Sequence, residues 1–149
     1  MDEILQDIVA EKERIEATLK ALQKTLRRKR RTFIELAAMA TCLHNCYSGM
    51  ENLLKRTLQY LKIPLPHSAT SHKDLLDLAV EQNLISKEIS ESLNEYRGFR
   101  HFFVHGYGIS LNKAPLQKLA QNLPEVWNRF ESEFDAFVKT QTVSGHADK

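Results

Sequence analysis

The sequence is poor in the residues that interrupt helices. Five glycines and four prolines in 149 residues leave little of the punctuation that a loop-rich or all-β chain needs. No stretch alternates apolar and polar residues as a half-buried strand does. Long apolar runs are missing too: the longest, such as Ile34 to Ala40, fall far short of the roughly eighteen residues that cross a bilayer. The N-terminus, MDEILQDIVAEKE, carries acidic residues where a signal peptide has a basic segment and an apolar core. We therefore expect a soluble, cytoplasmic protein with no membrane attachment. Cysteine is limited to Cys42 and Cys46. Their spacing suits neighbours on one helix rather than a staple closing a loop, so free thiols in a reducing compartment are expected. Charge of one sign is not in excess, with 21 Lys and Arg against 19 Asp and Glu for a net +2. That balance alone says little about partners, but its distribution is uneven: Arg27 to Arg31 reads RRKRR, while the first sixteen residues are acid-rich.

What is present is helical periodicity. Leu5, Lys12, Leu19 and Leu26 recur at sevens, with Ile8, Ile15 and Leu22 three places after the first three. This heptad seam predicts a helix from Asp2 to about Lys29 that packs along another helix, either a neighbour in the chain or one in a second subunit. A second helix is expected from about Thr32 to Leu61, ending before Pro64, with IPLPHSATSH as the connecting loop. Ser71 and Asp74 have capping-box spacing and open a short third helix through about Gln82. Ser86 caps a fourth, Lys87 to about Val104, which Gly106 and Gly108 stop. Asn112 and Pro115 announce a last helical segment, in which Pro124 should kink or split the helix. The tail, TQTVSGHADK, lacks apolar content and is expected to be disordered. With 42% hydrophobic residues the chain supports one core. The expected architecture is all-α: an antiparallel bundle of four to five helices over residues 1–139, followed by a disordered tail over 140–149.

The chemistry concentrates in YRGFRHFFVHGYG, Tyr96 to Gly108. On an ideal helix Arg97, His101 and His105 share one stripe, and Arg100 shares another with Val104. Arg100 and His105 would then diverge by roughly 140°. They converge if the helix ends before His105, or if a two-fold axis brings two subunits together. An arginine and a histidine aimed at one point suit phosphoryl chemistry. The guanidinium binds non-bridging oxygens in bidentate fashion, and the imidazole takes or gives a proton near neutrality. With RNA no metal is needed, because the ribose 2′-hydroxyl is an internal nucleophile. The plain alternative is a set of satisfied polar groups at a helix end.

Arg100, His105 and Tyr107 spell R-x-x-x-x-H-x-Y. With FRHFFVHGY at Phe99 to Tyr107 and LHNCYSGMENLLKRTLQY at Leu43 to Tyr60, the chain resembles the HepT toxins of the HEPN superfamily of ribonucleases, paired with MNT nucleotidyltransferase antitoxins. The resemblance implies a dimeric HEPN-like bundle whose two subunits line a shared cleft. In it Arg100 would stabilise the scissile phosphate, and His105 would act in proton transfer or in positioning the 2′-hydroxyl. The implied substrate is RNA, with transfer RNA a leading candidate, and no cofactor is required. The partner antitoxin would transfer AMP from ATP to Tyr107, silencing the toxin. Between Gly106 and Gly108, a phenol beyond a helix end can enter another active site.

Around this core, Arg97 and His101 are candidates to extend the RNA-binding surface, and Glu51 or Asn45 to orient the cations from behind. Arg27 to Arg31 is a candidate grip on RNA backbone, or simply a solvated helix end. A zinc site from Cys42, Cys46, His101 and His105 is disfavoured by the absence of short Cys-x-x-Cys spacing. Two rival readings are a non-catalytic helical module that uses the same surface to bind RNA, a nucleotide or a protein, and a coiled-coil scaffold built on the Leu5 to Leu26 seam, which has no use for Arg100 and His105.

Overall fold

The computed structural model describes residues 2–28, 32–67, 71–104 and 113–147, without the side chains of 2, 100–104, 113–114 and 142–147. Among these residues every regular element is a helix: α1 (Asp2–Leu26), α2 (Phe33–Tyr60), α3 (Ser71–Glu81), α4 (Lys87–Val104) and α5 (Lys113–Ala147). The all-α expectation is met.

The seam on α1 finds its partner inside the same chain. Ile8, Ile15, Leu19 and Leu22 are buried, and α1 packs most extensively along α2. Lys12, the polar member of the seam, reaches α5, where its Nζ lies 3.3 Å from Glu131 and also bonds Asp135. Such partly exposed ion pairs add little stability, but this one favours a single register of α1 against α5.

Helix α2 begins at a capping box. Ile34 N donates to the Thr32 hydroxyl, while the Thr32 hydroxyl and Thr32 N both donate to the Glu35 carboxylate; these last two bonds, the hydroxyl one first, hold the Glu35 carboxyl below its ordinary value. The T-x-x-E signal stands in the sequence at Thr32 and Glu35. At its other end Lys62 takes a left-handed φ of 61°, and Ile63 N donates to Leu58 O at 3.0 Å. α3 closes the same way, with Asn83 at φ 65° and Leu84 N donating to Ala79 O at 2.9 Å. Asparagine tolerates that position, and lysine holds it because the six-to-one bond closes behind it. Ser86 caps α4 as expected, accepting from Ile89 N at 3.2 Å, while Ser86 N donates to Glu133 of α5 at 2.7 Å.

Two expectations for the last helix are corrected. α5 runs through Pro124 as one helix, so the chain is not split there. Proline deprives Ala120 of its donor, but the apolar stripe Leu116, Ala120, Leu123, Trp127, Phe130 and Phe134 continues across it, all buried. Packing on both sides outweighs one lost hydrogen bond. Trp127, Phe130 and Phe134 stack in sequence, with centroids 5.9 and 5.7 Å apart. The helix also continues to Ala147, past Thr140, where a disordered tail is expected from composition. No proline interrupts it, and extending an existing helix lacks the cost of nucleating one.

α1 and α2 approach closely at Gly49. A Cβ there would meet Ile15 Cγ1 at 2.6 Å and Cδ1 at 2.9 Å, with Glu11 Oε1 at 3.2 Å. Gly98, in the middle of α4, is open, with nothing within 4 Å of such an atom. Gly49→Val should therefore destabilise the fold by about 1–3 kcal/mol through overpacking. Gly98→Ala should stabilise it by up to ~1 kcal/mol through helix propensity alone. Urea unfolding of the two variants checks both signs.

Candidate functional site

α4 is fastened at its middle, and the candidates Arg100 and His101 lie beyond. Ile89, Leu93 and Tyr96 are buried at steps of four and three, and the next step along this inward register is Arg100. The described helix reaches Val104, so Arg100 and His101 lie on α4 as expected, His101 three residues past exposed Gly98. An arginine in a core register at a helix end is unusual in a bundle, where such positions are apolar. His105 and Tyr107, with Gly106 and Gly108, lie outside the described residues.

Tyr96 fixes where that register points. Its ring is 2% exposed, and its hydroxyl donates to Leu119 O of α5 at 2.8 Å. Leu119 precedes Ala120, whose carbonyl Pro124 leaves without its helical donor. Burial first, then Glu95 and Cys46, raise the phenol above its ordinary 10.0, so the neutral donor form is favoured. One residue on, Arg97 is half-buried and its Nε donates to Asn94 Oδ1 at 2.7 Å. That bond holds the guanidinium along the surface of α4.

The two candidates from α2 part company. Six residues separate Asn45 from Glu51, a difference of about 120° around a helix. Asn45 is exposed, in a polar groove between α1 and α2 lined with Glu11, Arg14, Ser48 and Asn52. Glu51 is 3% exposed and turns toward α3. Its carboxylate oxygens lie 2.8 and 3.1 Å from His72 Nδ1, and Lys55 Nζ is 3.8 Å away. Of these two candidates, Glu51 is the buried one and Asn45 faces solvent.

His72 is the residue that sequence reading passed over. Its signal was indirect: Glu51 occupies the register of Tyr47, Leu54 and Leu58, all buried, and a carboxylate in such a place requires a donor. The donor comes from the first turn of α3, ten residues of chain beyond the end of α2.

The remaining candidates are quickly placed. Arg27 and Arg28 are exposed at the end of α1, and positions 29–31 lie outside the described residues. Cys42 and Cys46 are free and buried, with Cys46 Sγ directed at Ile15 O at 3.9 Å, on the α1 side. Among the described residues no three His, Cys, Asp or Glu side chains gather as metal ligands would, and no helix is long and apolar enough to cross a membrane.

Comparison with known proteins adds to this geometry. Residues 38–141 match the model of a family described as HepT-like protein. The fold is similar to the crystal structure of a toxin–antitoxin with AMP-PNP, at TM-score 0.76 and 20% identity, covering 87% of this chain and 97% of that one. It is also similar to YutE, a cytosolic protein of unknown function from Bacillus subtilis, at TM-score 0.64 and 16% identity, covering 87% and 92%. No curated protein matches the sequence.

The buried thiol beneath α4 has a pH signature. Unfolded, Cys46 titrates at its ordinary 9.0, whereas burial first and Cys42 second push it up to about 12 in the fold. The folded chain keeps a proton that the unfolded chain loses, so this contribution is complete below pH 9 and declines as pH rises toward 12. Melting temperature should fall over that window. The fall should be shallower in Cys46→Ala and not abolished, because Tyr96 titrates in the same direction.

Proposed function

Because the chain belongs to the HepT-like protein family, matched over residues 38–141, we propose that it is the toxin of a toxin–antitoxin pair. In this reading it is a metal-independent ribonuclease, completed by a second copy of itself and silenced by AMP transfer to Tyr107. The observation that carries the proposal is Arg100, continuing the inward register of Ile89, Leu93 and Tyr96 within R-x-x-x-x-H-x-Y.

The reaction needs little from the protein. The ribose 2′-oxygen attacks the adjacent phosphorus, the bond to the 5′-oxygen breaks, and a 2′,3′-cyclic phosphate and a 5′-hydroxyl result. Arg100 binds the non-bridging oxygens as their charge grows. His105 transfers a proton or orients the 2′-hydroxyl. A two-fold pairing of subunits supplies the convergence that roughly 140° of helical divergence denies one chain. Arg97 and His101 extend the cationic surface along the RNA, for which transfer RNA is the leading candidate substrate.

The similarity to a toxin–antitoxin bound to an ATP analogue supports a partner that handles nucleotides. We read that partner as an MNT-type nucleotidyltransferase with ATP as AMP donor. AMP on Tyr107 adds bulk and negative charge two residues from His105, competing with RNA for Arg100.

Purified protein should cut RNA in the presence of a chelator. Arg100→Ala and His105→Ala should each lower the rate by about 100-fold or more while retaining the wild-type circular dichroism. Unchanged cleavage in both folded variants would overturn the site. After co-expression with the antitoxin, intact mass should show added AMP units, absent from Tyr107→Phe, and the modified protein should no longer cut.

A further inference from the structure

The basic run at the end of α1 takes no part in the proposed cleavage. From Ala17 to Ile34 the sequence holds seven Lys and Arg and no acid, a local charge of +7 in a chain whose net charge is +2. The rest of the chain is therefore net acidic, and the cations are gathered rather than spread. Four of the seven lie among the described residues. Lys20, Lys24, Arg27 and Arg28 are all exposed, and none forms a salt bridge among the described residues, whereas Lys12, Arg14, Arg56, Lys73 and Arg129 each do. The backbone keeps turning past Leu26, with Arg27 N donating to Gln23 O at 3.1 Å and Arg28 N to Thr25 O at 3.2 Å. The four side chains thus leave α1 within about 100° of one another, on the side away from buried Leu19 and Leu22.

This row ends beside exposed apolar surface. Thr32 caps α2, which holds Phe33 and Ile34 on its first turn at 59% and 77% exposure. Cations beside an exposed aromatic ring suit a single-stranded polynucleotide, because the cations follow phosphates while the ring stacks on a base. An anionic membrane calls for a continuous apolar helix face, and that of α1 is buried against α2. A protein interface has an apolar centre with charge at its rim, whereas here the cations outnumber the apolar residues.

The helix directions place this corner. α1 runs antiparallel to α5, with Ile4 and Leu5 beside Phe137 and Val138 and Lys12 further in at Glu131. α4 does the same, from Glu88 at Arg129 to Tyr96 at Leu119. Lys24 follows Lys12 by twelve residues and Leu119 precedes Glu131 by twelve, about 18 Å in each case. The end of α1 and the last turns of α4 therefore lie at the same end of the bundle.

We propose that the end of α1 and the start of α2 form an RNA-binding surface additional to the cleavage residues, in which Lys20, Lys24, Arg27 and Arg28 neutralise phosphates along one strand and Phe33 stacks on a base. It deepens the ribonuclease reading, on which the choice of RNA as the polyanion rests.

A labelled single-stranded 2′-O-methyl RNA lacks the nucleophile and stays intact, so its binding to the full chain can be followed by fluorescence anisotropy across a salt series. Combining Lys24→Gln, Arg27→Gln and Arg28→Gln should reduce the slope of log Kd against log salt by about 2. Combining Lys62→Gln, Lys87→Gln and Lys139→Gln removes the same charge from exposed positions at the opposite end of the bundle and should leave the slope unchanged. Phe33→Ala should weaken binding about tenfold at constant slope, and Phe33→Trp should retain it. On cleavable RNA the first triple variant should raise KM and keep the wild-type kcat. Equal slopes in the two triple variants would overturn the proposal, as would binding of anionic lipid vesicles without binding of RNA. Wild type that binds RNA through these cations but never cuts it would remove the ribonuclease reading and leave this surface standing. A cutting wild type whose first triple variant keeps both slope and KM would remove this inference alone.

Discussion

The burial of α2 is the constraint on which the bundle depends. α1, α3, α4 and α5 all pack against this one helix, and Met39, Leu43, Tyr47, Met50, Leu54 and Leu58 are hidden from water along its length. Water reaches it along one stripe, through Thr41, Asn45, Asn52 and Arg56, and its other faces are covered. Each polar group it buries must therefore be answered by a neighbour. At Gly49 the answer is steric: removing the side chain lets Ile15 of α1 approach closely enough to exclude a methyl group. At Glu51 it is electrostatic, since the carboxylate is met by His72 and Lys55.

These two answers point to opposite sides of α2 and divide the labour of the fold. Toward α1 the contact is tight at Gly49 and Ile15, with a polar edge at Glu11 and Asn52, and Lys12 extends it to α5 through Glu131 and Asp135. Toward α3 and α4 the packing ends in polar side chains. Tyr96 marks the boundary, its hydroxyl spent on Leu119 O. The same register then passes from apolar residues to Arg100.

Helix existence was readable because each segment repeats its apolar residues at the helical period over ten or more positions. Ser86 as the cap of α4 was readable for the same local reason. Of the two outcomes expected at Pro124, a kink or a split, the split does not occur. Proline's local penalty is visible in a sequence, whereas the compensating burial of Leu116, Ala120 and Leu123 on one side and Trp127, Phe130 and Phe134 on the other depends on a partner surface. The tail misled likewise, since composition says nothing about a helix already nucleated upstream. Among the site candidates, Arg100 stood out through its spacing to His105 and Tyr107. Asn45 and Glu51 looked equivalent until their faces were known.

By itself the sequence determined the class of the fold, the order of its helices and the R-x-x-x-x-H-x-Y pattern, because periodicity, caps and motif spacing are local properties. Only the tertiary structure decided that the α1 seam pairs within the chain. It also decided that Asn45 opens on a groove while Glu51 is buried, and that a histidine twenty-one residues from Glu51 closes on it. Those are contacts between segments brought together by burying apolar surface, and no local pattern records which segments meet.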